Sequence, residues 1–373
     1  ASIGHGAFVT CVSLKSVTLS KRLTSIGHRV FDSCVSLTSV TIPDSVTSIG
    51  VGAFSDCANL TSVTIPDSVI SIGIGAFANC VNLNSVTIPD SVTSIGGLAF
   101  SACVNLKSVT IPDSVTSIGV SAFNDCTSLT SYVVDPANSC YASKEGLLFS
   151  KDLTELCRFP EGRIGAYTIE SSVISIGNAA FQNCGSLTSV TIPDSVASIG
   201  NDAFEECTGM MSVSIPDSVA RIGRRAFRSC SNLTSVSLSK SVASIGIDAF
   251  YRCGSLASID VDPINSGYAS LDGVLFARDL TVLLRFPGGR GGDYSIPDGV
   301  ASIGNRAFSA CNSLTTVTIP DSVTSIGESA FRNCVSLKSV TISDSVTSVG
   351  EMAFSDCNEL TDKSKASIQR ALS

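Results

Sequence analysis

Fifteen cysteines are the residues of this chain with the greatest capacity for chemistry. None of them forms the C-x-x-C spacing that is typical of zinc sites. A regular 23-residue step instead places one thiol at an equivalent inward position of every repeat, where cysteine behaves as a small hydrophobic residue. We therefore predict buried free thiols, and disulfides between adjacent repeats are the alternative. Thirteen cysteines follow this step in three runs: Cys11, Cys34, Cys57, Cys80, Cys103 and Cys126; Cys184, Cys207, Cys230 and Cys253; and Cys311, Cys334 and Cys357.

Two cysteines, Cys140 and Cys157, fall outside the 23-residue step. Their counterparts in a second, matching segment are Gly267 and Leu284. Since an apolar residue replaces Cys157 there, simple packing is favoured. A Cys140–Cys157 disulfide is the alternative, and it would indicate an oxidising compartment.

Histidine and aspartate do not form a catalytic set. The two histidines, His5 and His28, occupy equivalent repeat positions, and no nucleophile recurs beside them. One Asp per repeat recurs in a Pro-Asp turn, which is fewer oxygen ligands than the six to eight that calcium prefers. The sequence therefore predicts no catalytic residue, no metal site and no cofactor, and a chain that is not an enzyme.

Four arginines cluster between Arg221 and Arg228, at positions 221, 224, 225 and 228. Residues one repeat apart should be stacked neighbours, which places Arg225 between Asp202 and Asp248. We predict ion pairs between repeats there, and an anion site is the alternative.

A 23-residue repeat must position all of these groups. Residues 60–65 read LTSVTI, so apolar residues fall at spacings of three and two, as in the L-x-x-L-x-L strand of a leucine-rich repeat. Val63 and Ile65 should point inward. A Pro-Asp turn follows, then a second short extended piece and Gly73. The apolar spacing in residues 74–80 predicts one helical or 3₁₀ turn.

One such unit cannot bury its apolar side alone, so we predict a repeat solenoid of about 15 coils with short parallel strands. The regular cysteine step is interrupted twice, between Cys126 and Cys184 and between Cys253 and Cys311, by inserts 134–163 and 261–290, which match each other. We interpret each as a β-hairpin on an enlarged coil. The predicted organisation is one solenoid over residues 1–373, with enlarged coils at 127–172 and 254–298 and a C-terminal helical cap at 361–373.

Serine and threonine alternate outward along the first strand of many repeats. This arrangement predicts a regular, nearly uncharged array of hydroxyl groups that could dock an extended protein or a glycan. Thr also simply suits exposed strand positions, and ordering of water, as in ice binding, is a further alternative. The predicted binding residues are Ser39, Thr41, Ser62, Thr64, Ser85, Thr87, Ser108, Thr110, Ser189, Thr191, Thr316, Thr318, Ser339 and Thr341.

Charge and hydropathy narrow the range of partners. The net charge of −8 disfavours nucleic acid, and no apolar run approaches the ~20 residues that span a bilayer. The chain begins at Ala1, inside a repeat and without Met. We therefore expect the true N-terminus, with any targeting signal, to lie upstream.

The unit LTSVTIPDSVTSIGxxAFxxC and the insert DGVLFxxDLxxLxRFP closely resemble the BspA-like class of leucine-rich repeats. The resemblance covers almost the whole chain and implies a secreted or surface-attached protein associated with adhesion and with host or matrix binding. It implies no catalytic residues. The predicted function is a non-catalytic binding module, at the cell surface or outside the cell, for a protein or glycan. The alternatives are a spacer or assembly scaffold and a cytoplasmic interaction protein.

Overall fold

Each 23-residue segment forms one turn of a parallel β-solenoid, here called a coil, and the chain makes about 15 of them. The computed structural model describes residues 1–372, with side chains through residue 371. The chain forms two compact units. Unit 1 comprises residues 1–164 and 175–186, and unit 2 comprises residues 165–174 and those from 187 onward. The predicted fold class, a leucine-rich-repeat solenoid, is confirmed.

Unit 1 contains two parallel series of strands and an antiparallel insert. The face strands are β2 (Ser16–Thr18), β4 (Ser39–Thr41), β6 (Ser62–Thr64), β8 (Ser85–Thr87), β10 (Ser108–Ile111) and β12 (Ser131–Val134). The two-residue edge strands are β1 (Ser2–Ile3), β3 (Ser25–Ile26), β5 (Ser48–Ile49), β7 (Ser71–Ile72), β9 (Ser94–Ile95), β11 (Ser117–Ile118) and β17 (Ser175–Ile176). The insert strands are β13 (Tyr141–Lys144), β14 (Leu147–Ser150) and β15 (Glu155–Arg158).

Unit 2 repeats this plan and ends in a helix. Its face strands are β16 (Gly165–Thr168), β18 (Leu187–Thr191), β20 (Ser212–Ser214), β22 (Ser235–Leu238), β24 (Ser258–Val261), β28 (Gly292–Ser295), β30 (Leu314–Thr318) and β32 (Ser339–Thr341). Its edge strands are β19 (Ser198–Ile199), β21 (Arg221–Ile222), β23 (Ser244–Ile245), β29 (Ser302–Ile303), β31 (Ser325–Ile326) and β33 (Ser348–Val349). The insert strands are β25 (Tyr268–Leu271), β26 (Val274–Ala277) and β27 (Val282–Arg285), and the helix is α1 (Asp362–Leu372).

The register between coils equals the sequence period. Ser62 pairs with Ser85 and Val63 with Val86, one full repeat further on in each case. Val63 is buried between the exposed residues Ser62 and Thr64. A slip of one residue would reverse every side chain, so burial of the valine column holds the register.

The third side of each coil is a series of turns rather than the predicted helical or 3₁₀ turn. The N–H of Ala53 bonds to the carbonyl of Gly50, and the N–H of Phe54 bonds to Ala76 of the next coil, at 2.7 Å. Successive N–H groups thus donate alternately to a carbonyl of their own turn and to a carbonyl of the next coil. Gly52 and Asp56 have left-handed φ angles near +60° and +57°, which interrupt a regular helix. This side therefore carries its own row of hydrogen bonds between coils.

Glycine is required where successive coils approach most closely. A Cβ added at Gly73 would lie 2.5 Å from the carbonyl carbon of Gly50. A Cβ added at Gly50 would lie 2.7 Å from the carbonyl carbon of Gly27. The Gly that recurs seven residues before each periodic cysteine therefore marks a backbone contact.

The core consists of columns of like residues. The rings of Phe31 and Phe54 stack at 5.3 Å, as do those of Phe54 and Phe77. In unit 2, Phe204 and Phe227 stack at 5.1 Å. Leu, Val, Ile and Cys form the other columns, so each coil buries apolar surface against its neighbours.

Each insert is a three-stranded antiparallel meander whose last strand returns to the parallel edge series. In unit 1, β13 pairs with β14, β14 with β15, and β15 runs parallel to β17. The sequence predicted two of these strands and missed β13. Asn138 holds the start of the insert, because its buried amide donates to the carbonyls of Pro112 and Val115 and accepts from two N–H groups, those of Cys140 and Tyr141.

Helix α1 covers the last coil with Ile368, which is buried in the core of unit 2. The hydroxyl of Ser364 accepts a hydrogen bond from the N–H of Val340 in β32. Residue 373 of the predicted cap lies outside the described residues. The assignment of the whole chain to one domain stays a prediction.

Candidate functional site

The outward side chains of the face strands in unit 1 form a surface that we call the hydroxyl face. It comprises two rows, one containing Ser39, Ser62, Ser85 and Ser108 and the other Thr41, Thr64, Thr87 and Thr110. All eight are exposed, and strand pairing aligns Ser39 with Ser62 and Thr41 with Thr64. Since strands pair at about 4.8 Å, each row presents a hydroxyl at that interval.

None of these eight hydroxyls makes a hydrogen bond within residues 1–372. Their backbone groups pair between strands, so the side-chain donors and acceptors remain available to water or a partner. Ser16 and Thr18 extend the rows by one coil, since they pair with Ser39 and Thr41. The prediction missed them because the strand is followed by Leu-Ser instead of Ile-Pro-Asp.

Unit 2 carries a less uniform version of this surface. Thr191 pairs with Thr168, and Thr316 and Thr318 pair with Ser339 and Thr341, whereas Ser189 lies beside Ala166. Ser189, Thr316 and Ser339 are half-buried, and Thr191, Thr318 and Thr341 are exposed. Serine rows at Ser212–Ser235 and Ser214–Ser237, which the prediction omitted, join these strands.

Acidic groups also enter the rows of unit 2. Asp293 pairs with Thr316. Hydrogen bonds from the hydroxyls of Thr316 and Thr315 lower the pKa of the Asp293 carboxyl, so it carries its charge at neutral pH. A neutral, hydroxylated surface is therefore a property of face strands β2 to β10 in unit 1, and β12 departs from it with the exposed Val133.

The thiols of this chain are free. From Cys34 onward, buried thiols of the periodic column donate to the carbonyl of a phenylalanine in the preceding coil, for example Cys80 to Phe54 at 3.2 Å. Burial raises the pKa of Cys57 and Cys253 to about 12, so both are protonated at neutral pH. Cys140 and Cys157 are half-buried, and burial raises the pKa of Cys157 to about 12 as well.

The histidines lie together as the repeat requires. The rings of His5 and His28 meet edge to face at 4.6 Å, and Nδ1 of His28 accepts a hydrogen bond from the N–H of Val51 at 2.8 Å. Within residues 1–372, no group of three or more His, Cys, Asp or Glu side chains has the arrangement of a metal site.

The arginine cluster is only partly arranged as predicted. Arg228 pairs with Glu205 of the preceding coil. The prediction that Asp248 pairs with Arg225 is wrong, because Asp248 instead binds Nη1 of Arg306 at 2.6 Å. The coil of the second insert has no regular turn segment on the turn side of the solenoid. Asp248, in the coil before the insert, therefore lies against the turn segment that follows the insert, which contains Arg306.

That missing segment leaves a cavity of about 380 Å³ in unit 2. Asp248, Tyr251 and Tyr268 line one part of it, and Arg285 and Arg306 line another. The phenol oxygen of Tyr268 accepts a hydrogen bond from the N–H of Ile245 at 3.1 Å. The repeat pattern of the sequence does not predict this cavity. The Arg-Phe-Pro sequence that ends each insert was the available signal, since Pro cannot donate to the row of hydrogen bonds.

A second surface that the sequence analysis missed is an exposed aliphatic patch in unit 1. Val51, Ile74, Leu98 and Val120 lie on successive turn segments and are between 40% and 75% exposed. Their exposed side chains place apolar surface on the turn side of these coils.

These features define a parallel β-solenoid of leucine-rich repeats with a hydroxylated strand face. A profile described as a BspA type leucine rich repeat region matches the chain in six copies, over residues 1–141, 158–277 and 292–368. The chain belongs to this family. Membership indicates a protein-interaction or surface module.

Solved structures agree with the fold. The chain is similar to a leucine-rich repeat protein from Eubacterium ventriosum ATCC 27560, with 24% identity over 87% of this chain and 83% of that one and a TM-score of 0.58. It is similar to a leucine-rich repeat protein from Bacteroides ovatus ATCC 8483, with 27% identity over 96% of this chain and 80% of that one and a TM-score of 0.50.

A third similar structure is a leucine rich cell surface protein from Faecalibacterium prausnitzii A2-165, with 30% identity over 93% of this chain and 76% of that one and a TM-score of 0.44. No curated protein matches the sequence significantly. Within residues 1–372, no helix combines the length and apolar character needed to cross a bilayer.

Proposed function

We propose that this chain is a non-catalytic binding module of a secreted or surface-attached protein, and that it docks an uncharged, extended protein or glycan along the hydroxyl face of unit 1. The observation that carries the proposal is the pair of aligned rows of exposed hydroxyls that have no hydrogen-bond partner within residues 1–372. Each hydroxyl both donates and accepts, so the face suits a partner that carries polar groups at regular intervals.

The charge distribution supports an uncharged partner. The eight hydroxyl-face residues carry no charge, and the acidic residue Asp293 joins the corresponding rows only in unit 2. A strongly cationic or anionic partner would gain little there. The resemblance to surface-attached members of the family supports the location.

Binding can be tested with a glycan array and a panel of extracellular matrix proteins, using the full chain. For any partner found, Thr64→Lys with Thr87→Lys places two long charged side chains on the hydroxyl face and should weaken binding at least tenfold. The matched control is Ile70→Lys with Thr93→Lys, which adds the same charge at exposed positions just before the edge strands.

An equal loss of binding in the two double variants would show that the partner responds to the added charge and does not bind the hydroxyl face. Absence of binding across both panels would contradict the proposal and favour the scaffold alternative.

A further inference from the structure

The row of hydrogen bonds on the turn side of the coils is interrupted at each insert. In a regular coil, the residue before the periodic cysteine donates its N–H to the next coil, as Asp56 does to Ala78 at 2.8 Å. Ser229 donates in the same way to Tyr251 at 2.8 Å. The coils that end at Cys126 and Cys253 are followed by an insert, whose Phe-Pro sequence replaces the usual segment. The N–H groups of Asp125 and Arg252 therefore lose their normal acceptor.

In unit 1 the buried carboxyl group of Glu161 replaces the missing carbonyl. The N–H of Asp125 donates to Oε1 of Glu161 at 3.0 Å. Glu161 is only 7% exposed, and burial raises its pKa to about 8, although the hydrogen bond and the nearby Arg158 oppose this. The first insert thus supplies an acid of its own beside Arg158.

Unit 2 has the same donors but lacks the acid. The residues that correspond to Asp125, Arg158 and Glu161 in the second insert and the coil before it are Arg252, Arg285 and Gly288. Within residues 1–372, the N–H of Arg252 has no acceptor. A Cβ added at Gly288 would lie 3.9 Å from Nη2 of Arg285 but 2.8 Å from the carbonyl oxygen of Cys253, so a side chain here reaches the guanidinium only with a shift of the backbone.

Arg285 is a buried cation with three of its five N–H donors unused. It is 8% exposed, and Nη1 donates to the carbonyls of Arg306 at 2.9 Å and Ser309 at 3.2 Å. Nε and Nη2 have no partner. No carboxylate in residues 1–372 forms an ion pair with it. Asp248 and Glu328, which line the same cavity, both pair with Arg306.

The remaining acids nearby do not neutralise this charge. The thiols of Cys253 and Cys311 lie close enough for Arg285 to oppose the rise in their pKa. Burial nevertheless raises the pKa to about 12 for Cys253 and about 11 for Cys311, so both stay neutral at pH 7. A buried charge without a directly paired counter-charge is unfavourable.

We propose that the second insert coil binds a small carboxylate between the Arg285 guanidinium and the N–H of Arg252, in the place that the Glu161 side chain fills in unit 1. A planar carboxylate fits because it accepts two parallel hydrogen bonds from a guanidinium. Arg285 also lines the cavity of about 380 Å³.

The test is a titration of the full chain with sodium formate, at constant ionic strength maintained with sodium chloride. The readouts are the Nε–H resonance of Arg285, assigned with Arg285→Lys, and the midpoint of thermal unfolding. In the natural sequence, the resonance should shift along a single-site curve. The midpoint should rise by about 2 °C at a formate concentration of roughly ten times Kd.

Two reciprocal variants decide the origin of the effect. Gly288→Glu places the acid of unit 1 in unit 2 and should abolish both responses. Gly288→Ala is its matched control, because both variants need the same backbone shift away from the carbonyl of Cys253. Gly288→Ala adds no carboxylate, so the resonance shift should remain. Glu161→Gly should create a second formate-sensitive arginine, Arg158.

If neither the natural sequence nor Glu161→Gly responds to formate, the site does not exist. An equal response in the natural sequence and Gly288→Glu would also overturn the proposal. Should Gly288→Glu fail to fold, Glu161→Gly decides between the outcomes. A formate-dependent shift of the Arg158 resonance in that variant supports the proposal, and its absence overturns it.

Discussion

The thiol of Cys57 donates a hydrogen bond to the carbonyl oxygen of Phe31 over 3.2 Å, and this contact links two successive coils. The relationship recurs one coil later between Cys80 and Phe54, also at 3.2 Å. Cysteine therefore fills a small apolar space and supplies a donor that Ala or Val lacks. A column of free thiols has a structural explanation that requires neither metal nor disulfide.

Replacing a thiol in this column should weaken the solenoid. We expect Cys80→Ala to lower the free energy of unfolding by about 1–3 kcal/mol, because it leaves a cavity and removes the bond to Phe54. Urea unfolding followed by circular dichroism measures the change. Cys11→Ala is the control, since Cys11 is exposed and its loss should cost little. Equal effects of the two substitutions would contradict this explanation of the cysteine column.

Stability should depend on pH through Glu161. Its pKa is raised to about 8 by burial, whereas an unfolded Glu titrates near 4.3. The folded state therefore holds a proton that the unfolded state releases, so this group's contribution is complete below about pH 4 and is lost as pH rises through 8. The expected loss is on the order of 2–4 kcal/mol.

The matched variant for this prediction is Glu161→Gln. It keeps an oxygen that accepts from the N–H of Asp125 but does not ionise. Its free energy of unfolding, measured by urea titration between pH 5 and 8, should fall less steeply than that of the natural sequence. Parallel profiles would show that Glu161 does not titrate in this range.

Two glycines of the same turn segment, Gly73 and Gly75, should differ sharply in their tolerance of substitution. At Gly73 a Cβ would collide with the backbone of Gly50 at 2.5 Å, so Gly73→Ala should cost more than about 3 kcal/mol or prevent folding. At Gly75 the nearest atom is 3.8 Å away and only the left-handed φ of +59° is unfavourable. Gly75→Asn should therefore cost less than about 1 kcal/mol. Thermal unfolding of both variants checks the contrast, and similar losses would refute the backbone-contact argument.

The columns of the solenoid could be predicted from sequence because the period alone determines which residues are neighbours. Ser62 opposite Ser85 and Phe54 upon Phe77 are both consequences of a 23-residue step. The helical turn was predicted from apolar residues spaced by three. That spacing does not reveal the left-handed backbone at Asp56, which turns the same segment into successive bends.

Contacts at the inserts could not be predicted in the same way, because the period fails there. Arg306 lies beyond the second insert from Asp248, and its ion pair depends on which segment of the enlarged coil is missing. Similarly, the sequence around Arg285 predicts only another exposed charge beside an apolar run, although Arg285 is buried. Its importance became visible only with its burial and with the absence of the acid that Glu161 supplies in unit 1.

The thiol inventory tests the cysteine assignments as a whole. In the native chain, Cys11 is exposed and should react rapidly with a thiol reagent at pH 8. Cys157 should react slowly, because burial and a pKa of about 12 leave little of it as the reactive thiolate. The buried column should react only as the chain unfolds.

In denaturant without reductant, all fifteen thiols should react. A count of thirteen, with peptide mapping to Cys140 and Cys157, would instead show a bridge across the first insert and indicate an oxidising compartment. The substitution Cys140→Gly, which copies Gly267 of the second insert, should then restore one reactive thiol at Cys157. It should do so with little loss of stability, because Gly already occupies the matching position.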